Sequence, residues 1–176
     1  ENDKAVISVF DGAPADAVID KLKEAISDDY SLFELKGTIT DDIKREVNDH
    51  LTDNPANTIL TVGDRSTFYV YDAEGFMAWG AAAENDRRSN CTLINDIDLT
   101  EDWVYCIGTH STNYSGTLEG NGHSISGLSI NQDAVRMDYF NPEAMITYLS
   151  GEVRNLVIEG GRCVCTNANL SSAALV

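Results

Sequence analysis

Positive charge is scarce in this chain. Its 176 residues include 12 lysines and arginines against 29 aspartates and glutamates, which leaves a formal net charge of −17. A protein with that charge repels the phosphate backbone of nucleic acids and the surface of anionic membranes. We therefore expect no nucleic-acid partner. The acidic residues are spread along the chain, which is typical of a solvated acidic surface.

Long hydrophobic runs are also missing. No segment approaches the roughly 18 consecutive apolar residues of a membrane-spanning helix, and no basic start with an apolar stretch opens the chain. We expect no insertion into a membrane. The hydrophobic content of 43% is ordinary for a folded domain, so one good core or two small ones can form.

Cysteine is limited to four residues, which permit two disulfides in three connectivities. Cys163 and Cys165 are two residues apart, so on a strand they point to the same face and a bridge between them would be strained. A bridge between Cys91 and Cys106 and a set of free buried thiols both fit the sequence. A zinc site is not indicated, because Cys-x-Cys lacks a second pair or a nearby histidine.

Known catalytic motifs are absent from the sequence. It contains neither Gly-x-Ser-x-Gly nor His-Glu-x-x-His, and none of its histidines, His50, His110 and His123, adjoins a nucleophile motif. These residues favour a protein that is not an enzyme.

The densest group of carboxylates predicts, at most, a calcium site. It consists of Asp96, Asp98, Glu101 and Asp102. Their spacing lacks the glycine and the distal glutamate of an EF-hand loop, and aspartates of this kind commonly cap turns or line a polar strand face. We therefore expect no cofactor, with calcium at these four residues as the alternative.

The first 66 residues alternate between strand and helix patterns. Apolar residues recur at helical spacing in two segments, the second of which has Thr40 as N-cap. Long crossovers between the strands predict parallel pairing and right-handed connections. The predicted order is strand 5–10, helix 14–26, strand 32–35, a helix beginning after residue 40, and strand 58–62.

Short apolar strands and frequent glycines follow this unit. Residues 68–71 predict a strand, and Asp72 is expected to cap a helix that carries Phe76, Met77 and Trp79. Between residues 114 and 130, four glycines separate short apolar segments, which predicts sharp corners in a stacked coil. Apolar triplets at 97–99, 128–130 and 156–158 start 31 and 28 residues apart, which indicates repeated units.

Residues 103–130 resemble the GLUG-type repeats of bacterial cell-surface proteins, in which Trp-x-x-Ile-Gly precedes Gly-x-Leu-x-Gly-x-Gly-His-x-Ile-x-x-Leu. The resemblance covers about residues 68–176 and implies the first coils of a right-handed parallel β-helix, that is, a β-solenoid. Residues 35–43 resemble the entry unit of leucine-rich surface proteins from gut bacteria. Tyr105 and Cys106 depart from the repeat pattern, which commonly has a more apolar or proline-containing turn there.

The expected architecture is therefore an α/β N-terminal domain or solenoid cap, residues 1–66, followed by GLUG-like coils, residues 67–176. Gly63 to Ser66 would join the two parts. Because residues 167–176 end on apolar side chains, we expect further C-terminal coils, or a homodimer, to cover the open end of the solenoid. The family resemblance implies export, with the signal peptide already removed.

The resemblance implies a secreted or surface-displayed bacterial protein that is not an enzyme. We expect an adhesin-like scaffold that recognises extracellular glycoconjugates or host surface proteins. The candidate ligand-binding residues are Tyr114, Tyr139 and Phe140, which lie among polar residues, whereas Trp103 is expected in the core. Two alternatives remain open: the N-terminal part of a β-helix enzyme that degrades polysaccharides, and a passive structural stalk.

Overall fold

A seven-stranded, mostly parallel sheet organises the mixed α/β architecture. In the computed structural model, residues 4–28, 30–109, 111–131 and 144–164 are described. In order across the sheet, its strands are β1 (Lys4–Val9), β2 (Leu32–Gly37), β3 (Thr58–Val62), β4 (Arg65–Val70), β5 (Asn90–Leu93), β7 (Thr117–Glu119) and β10 (Glu152–Arg154). Its N-terminal elements are β1 (Lys4–Val9), α1 (Ala15–Ile26), β2 (Leu32–Gly37), α2 (Asp41–Asp53) and β3 (Thr58–Val62). These three strands are parallel, as the sequence predicted.

The first two helices begin where the sequence supplies a start signal. Pro14 precedes α1, and the Thr40 hydroxyl accepts a hydrogen bond of 3.2 Å from the Ile43 amide at the start of α2. One face of each helix is buried. Val18, Ile19 and Leu22 of α1, with Ile43, Val47 and Leu51 of α2, pack in a single apolar cluster that includes Leu35 and Leu60 of the sheet. The hydrophobic periodicity of the sequence is therefore satisfied by burial.

A tight hairpin carries the sheet across the expected boundary at residue 66. Gly63, with φ 61°, lies in the two-residue loop between β3 and β4 (Arg65–Val70). The two strands are antiparallel, with Val62 opposite Arg65. Neighbouring residues of β3 serve different cores: Leu60 packs with α1 and α2, whereas Ile59 packs in the cluster of the following elements. The two parts of the chain therefore share one sheet.

The third helix, α3 (Ala73–Asn85), is longer than the short helix expected here, and Asp72 caps it by accepting from the Gly75 amide at 3.0 Å. Beyond it, short strands recur in three successive groups, which we call rounds. They are β5 (Asn90–Leu93) and β6 (Ile97–Asp98); β7 (Thr117–Glu119), β8 (Ser124–Ser126) and β9 (Ser129–Asn131); and β10 (Glu152–Arg154), β11 (Val157–Glu159) and β12 (Arg162–Val164). None of the described helices is both long and apolar enough to cross a membrane.

Strands of successive rounds pair in parallel along three ladders. The first is β5-β7-β10, the second β6-β8-β11, and the third β9-β12, which Trp103 extends through a bridge to Ile130. In the second ladder, Ile97 lies opposite Ile125, and Ile125 lies opposite Ile158. Each round therefore sets its apolar side chains on those of its neighbours.

The predicted stacking of residues 97–99, 128–130 and 156–158 is wrong in its middle member. Ile97, Ile125 and Ile158 form the row, so the separations are 28 and 33 residues. Ile130 belongs to the next side of the round, where its partners are Trp103 and Cys163. Each round carries two similar apolar segments, and spacing alone does not distinguish the two sides.

Candidate functional site

Two of the four carboxylates considered for calcium connect neighbouring rounds. Asp96 accepts a hydrogen bond of 2.8 Å from the Ser124 amide, and that bond lowers the pKa of the carboxyl group. Asp98 accepts one of 2.8 Å from the Ser126 hydroxyl. Glu101 and Asp102 are exposed. Across the described residues, no three His, Cys, Asp or Glu side chains are grouped so as to hold a metal ion.

The expected exposure of Tyr114 is wrong, because its ring is completely buried. Its hydroxyl donates a hydrogen bond of 2.8 Å to the Ser89 carbonyl, and its ring packs edge-on against Trp79 with centroids 6.1 Å apart. Burial raises the pKa of Tyr114. The polar residues beside it in sequence form the turn, while this side chain fills the core. Tyr139 and Phe140 lie outside the described residues.

Trp103 belongs to the core, as expected, and its aromatic cluster positions Tyr105. The rings of Phe76 and Trp103 have centroids 5.2 Å apart. Tyr105 packs edge-on against Trp103, also at 5.2 Å and with 82° between the ring planes. Gly80 makes this approach possible, since a Cβ atom there would lie 2.5 Å from Tyr105 Cδ2. Tyr105 is half-buried, so one part of a firmly packed ring remains accessible.

The accessible part of Tyr105 faces a cavity of about 280 Å³, named here the tyrosine compartment. The cavity lies between α3 and the beginnings of the first three strands. Leu32, Met77, Ala78 and Ala81 supply apolar walls, and Lys4, Ser31, Asn57 and Glu74 supply polar groups. An apolar pocket with a few converging polar groups is the usual form of a small-molecule site.

Asn57 holds the floor of the tyrosine compartment together. Its side-chain oxygen accepts from the Tyr71 amide at 2.9 Å, and its amide nitrogen donates to Asp72 Oδ1 at 2.8 Å and to the Ser31 carbonyl at 3.2 Å. Gly75 lies against it so closely that a Cβ atom would be 2.0 Å from the Asn57 oxygen. The strand starts and α3 are therefore fixed to one another at this point.

A second cavity of about 310 Å³ adjoins the first and is named here the threonine compartment. Its lining consists of Ala73, Glu74, Met77, Leu99, Thr100 and Glu101. Because Glu74 and Met77 line both cavities, the two lie side by side along α3. We refer to the pair of compartments as the α3 groove.

The α3 groove has an acidic character. Burial raises the pKa of Tyr105, and the nearby charges of Glu84 and Glu101 raise it further. Lys4 contributes a cation to the lining, but its ammonium group is engaged by Glu34 at 2.7 Å. A ligand in this groove therefore meets carboxylates and one ion-paired lysine.

The sequence marked Tyr105 only as a departure from the repeat pattern, and it did not indicate the residues of α3 that line the groove. A helical projection gives the missing signal. Glu74, Met77, Ala78 and Ala81 recur at spacings of three and four on one face of α3, whereas Phe76, Trp79 and Ala83 are buried. This face of α3 carries small and flexible residues and borders the two cavities. It is therefore the face of the helix that a ligand would contact.

Another apolar groove runs along the outer strand of the sheet. It has a volume of about 780 Å³ and lies between β1 and α1. Val6, Phe10 and Tyr30 line it and are 55%, 76% and 42% exposed. This groove is more open than the tyrosine compartment, which is therefore the better candidate for a small-molecule site.

Cys91 and Cys106 are free thiols, and Cys165 lies outside the described residues. Cys91 is completely buried, and burial raises the pKa of its thiol. Cys106 Sγ lies 3.2 Å from the Thr147 hydroxyl. Of the two arrangements that the sequence allowed for Cys91 and Cys106, the structure has the unbridged one.

Comparison of the chain with protein-family models, with curated proteins and with solved structures gave no match. The function proposed for it therefore rests on its own residues and their geometry.

Proposed function

We propose that this chain is an exported, non-enzymatic recognition protein that binds glycans through the α3 groove. The observation that carries the proposal is the placement of Tyr105, whose ring is packed on Trp103 yet borders a cavity that also contains polar groups. A site built in this way loses little side-chain entropy when a ligand binds.

The chemistry of a sugar ring matches this lining. The C–H face of a sugar is apolar and packs on an aromatic ring, while its hydroxyl groups require hydrogen-bond partners at the ring edge. Tyr105, Leu32 and Met77 supply the first kind of contact. The Glu74 carboxylate accepts hydrogen bonds from hydroxyl groups.

We further propose that the rounds after α3 are coils of a right-handed parallel β-helix of GLUG-like type. Three parallel ladders and the row of Ile97, Ile125 and Ile158 support this interpretation. Such coils would act as a rigid support for the groove. The ring of Trp103 packs against Tyr105, and its backbone forms a bridge to Ile130 of the next round. Display at a bacterial surface, with host or dietary glycoconjugates as partners, fits this arrangement.

The test combines binding with product release. The protein is incubated with immobilised mucins and plant polysaccharides, and both retained protein and released oligosaccharide are measured. We expect retention without release, and we expect Tyr105→Ala to reduce retention at least about tenfold, the loss typical of one aromatic anchor. Tyr30→Ala is the matched control, because it removes an exposed tyrosine from the other groove.

Three outcomes contradict the proposal. Time-dependent release of oligosaccharide would identify an enzyme. Absence of retention on every surface would favour a structural stalk. Equal loss for the Tyr105 and Tyr30 variants would show that the α3 groove is not the site. Thermal unfolding of both variants checks that a loss of retention reflects the site and not the fold.

A further inference from the structure

The two compartments of the α3 groove share a wall, to which Glu74 and Met77 both contribute. Glu74 lies in the first turn of α3, and Met77 follows three residues later on the same face. Each compartment is close to the lower limit of about 300 Å³ for small-molecule sites. A ligand much larger than one sugar ring would therefore have to extend over both compartments.

We infer that the α3 groove binds a linear glycan of at least two sugar rings and selects against glycans that carry acidic groups. This inference rests on the proposed function and specifies its ligand. One ring lies on Tyr105 in the tyrosine compartment, and the next reaches Thr100 and Glu101 in the threonine compartment. The glycosidic link passes over Met77, whose flexible thioether adapts to the shape of the chain.

Hydrogen bonding at the junction favours a chain over two separate rings. The Glu74 carboxylate lines both compartments and is exposed, so its two oxygens are available to hydroxyl groups on both sides. The Thr100 side chain is also exposed and offers a hydroxyl group in the second compartment. A second ring linked to the first gains these contacts without a second loss of translational freedom.

Charge determines which glycans are excluded. Glu74 and Glu101 line the groove, and Glu84 acts on Tyr105 at its rim. The lining cation, Lys4, is already paired with Glu34 at 2.7 Å. A uronic acid in either compartment therefore lies near carboxylates, while the lysine of the lining is already paired, and we expect the repulsion to weaken its binding by roughly tenfold or more.

The first experiment is a length series. Monomer to tetramer of glucose, xylose, galactose and N-acetylglucosamine are titrated by calorimetry against the wild-type protein and against Thr100→Trp, which fills the threonine compartment. We expect the dimer of the bound series to bind at least about tenfold more tightly than its monomer, and the substitution to abolish that gain. Thr52→Trp, an exposed threonine on α2, is the control.

The second experiment tests charge. Galacturonic acid oligomers are compared with neutral galactose oligomers of the same length, and the comparison is repeated with Glu101→Gln and with Glu24→Gln as a control on α1. We expect the acidic oligomers to bind at least about tenfold more weakly than the neutral ones. Glu101→Gln should reduce this difference in affinity, whereas Glu24→Gln should leave it unchanged.

Distinct results overturn the two levels of interpretation. Equal affinities for monomer and tetramer would refute the inference that the ligand extends over both compartments. The same conclusion would follow if Thr100→Trp kept the full gain in affinity from monomer to dimer. Either result would leave the proposed function intact. Acidic oligomers that bind as tightly as neutral ones would refute the charge selection. Absence of binding by every series, or binding that Tyr105→Ala leaves unchanged, would refute the proposed function itself.

Discussion

Ile125 is the residue on which the stacking of the rounds can be tested most directly. Its side chain is completely buried, and it lies between Ile97 of one round and Ile158 of the next. Ile125→Ala removes three carbon groups, which at about 0.8 kcal/mol each amounts to about 2.4 kcal/mol of lost burial. The cavity left between Ile97 and Ile158 adds about 1 kcal/mol or more. The expected loss of unfolding free energy is therefore about 3–4 kcal/mol.

The assay is equilibrium unfolding in denaturant, followed by far-ultraviolet circular dichroism. A loss of about 3–4 kcal/mol is a large part of the 5–15 kcal/mol by which domains are usually stable. Val157→Ala is the matched control: it lies in the same ladder but is 48% exposed, so we expect a change of about 0.5 kcal/mol or less. A loss below about 1 kcal/mol for Ile125→Ala, or equal losses for both variants, would refute the stacked arrangement.

Three further predictions follow from single positions. Gly127→Ala should destabilise the fold more than Gly160→Ala, as measured by denaturation midpoints. Both glycines have positive φ, but only at Gly127 would a Cβ atom meet a backbone oxygen, at 2.2 Å. Thr40→Ala should cost about 1 kcal/mol by removing the cap of α2, whereas Thr40→Ser should retain most of it in the same assay. Burial lowers the pKa of His50, so the folded state resists protonation of this side chain. The free energy of unfolding should therefore be at its full value above the ordinary histidine pKa of about 6.5 and should decrease as the pH falls below that value. Unfolding measured between about pH 7 and pH 5.5 should show this decrease in the wild type and a smaller one in His50→Gln.

The N-terminal elements could be predicted from the sequence because their signals are local. Thr40 as N-cap and the helical spacing of Ile43, Val47 and Leu51 define α2 without reference to the rest of the chain. The pairing register of the later rounds could not be predicted in the same way. Ile125 and Ile130 both occur in short apolar segments, and only the partners Ile97 and Trp103 determine which side of the round each one occupies.

The candidate site was difficult to predict for a related reason. Tyr114 lies among turn residues, a context that usually indicates exposure, yet its ring is buried because the Ser89 carbonyl accepts its hydroxyl hydrogen within the core. Tyr105, in contrast, lies among apolar residues, yet it is only half-buried, with one edge of its ring against Gly80. The exposure of each tyrosine depends on residues about 25 positions away along the chain, which local polarity does not report.

The rounds and the groove are coupled through Trp103. Its backbone amide donates to the Ser129 carbonyl at 2.7 Å, which ties it to the following round, while its ring packs against Phe76 of α3 and against Tyr105. The position of Tyr105 therefore depends on α3 and on the stacked rounds together. Since packed interiors transmit changes of shape, a shift of either element would alter the mouth of the tyrosine compartment. Because Trp103 is fixed by both elements, Tyr105 is held in place by its neighbour, which is the rigid support that the proposed binding role of Tyr105 requires.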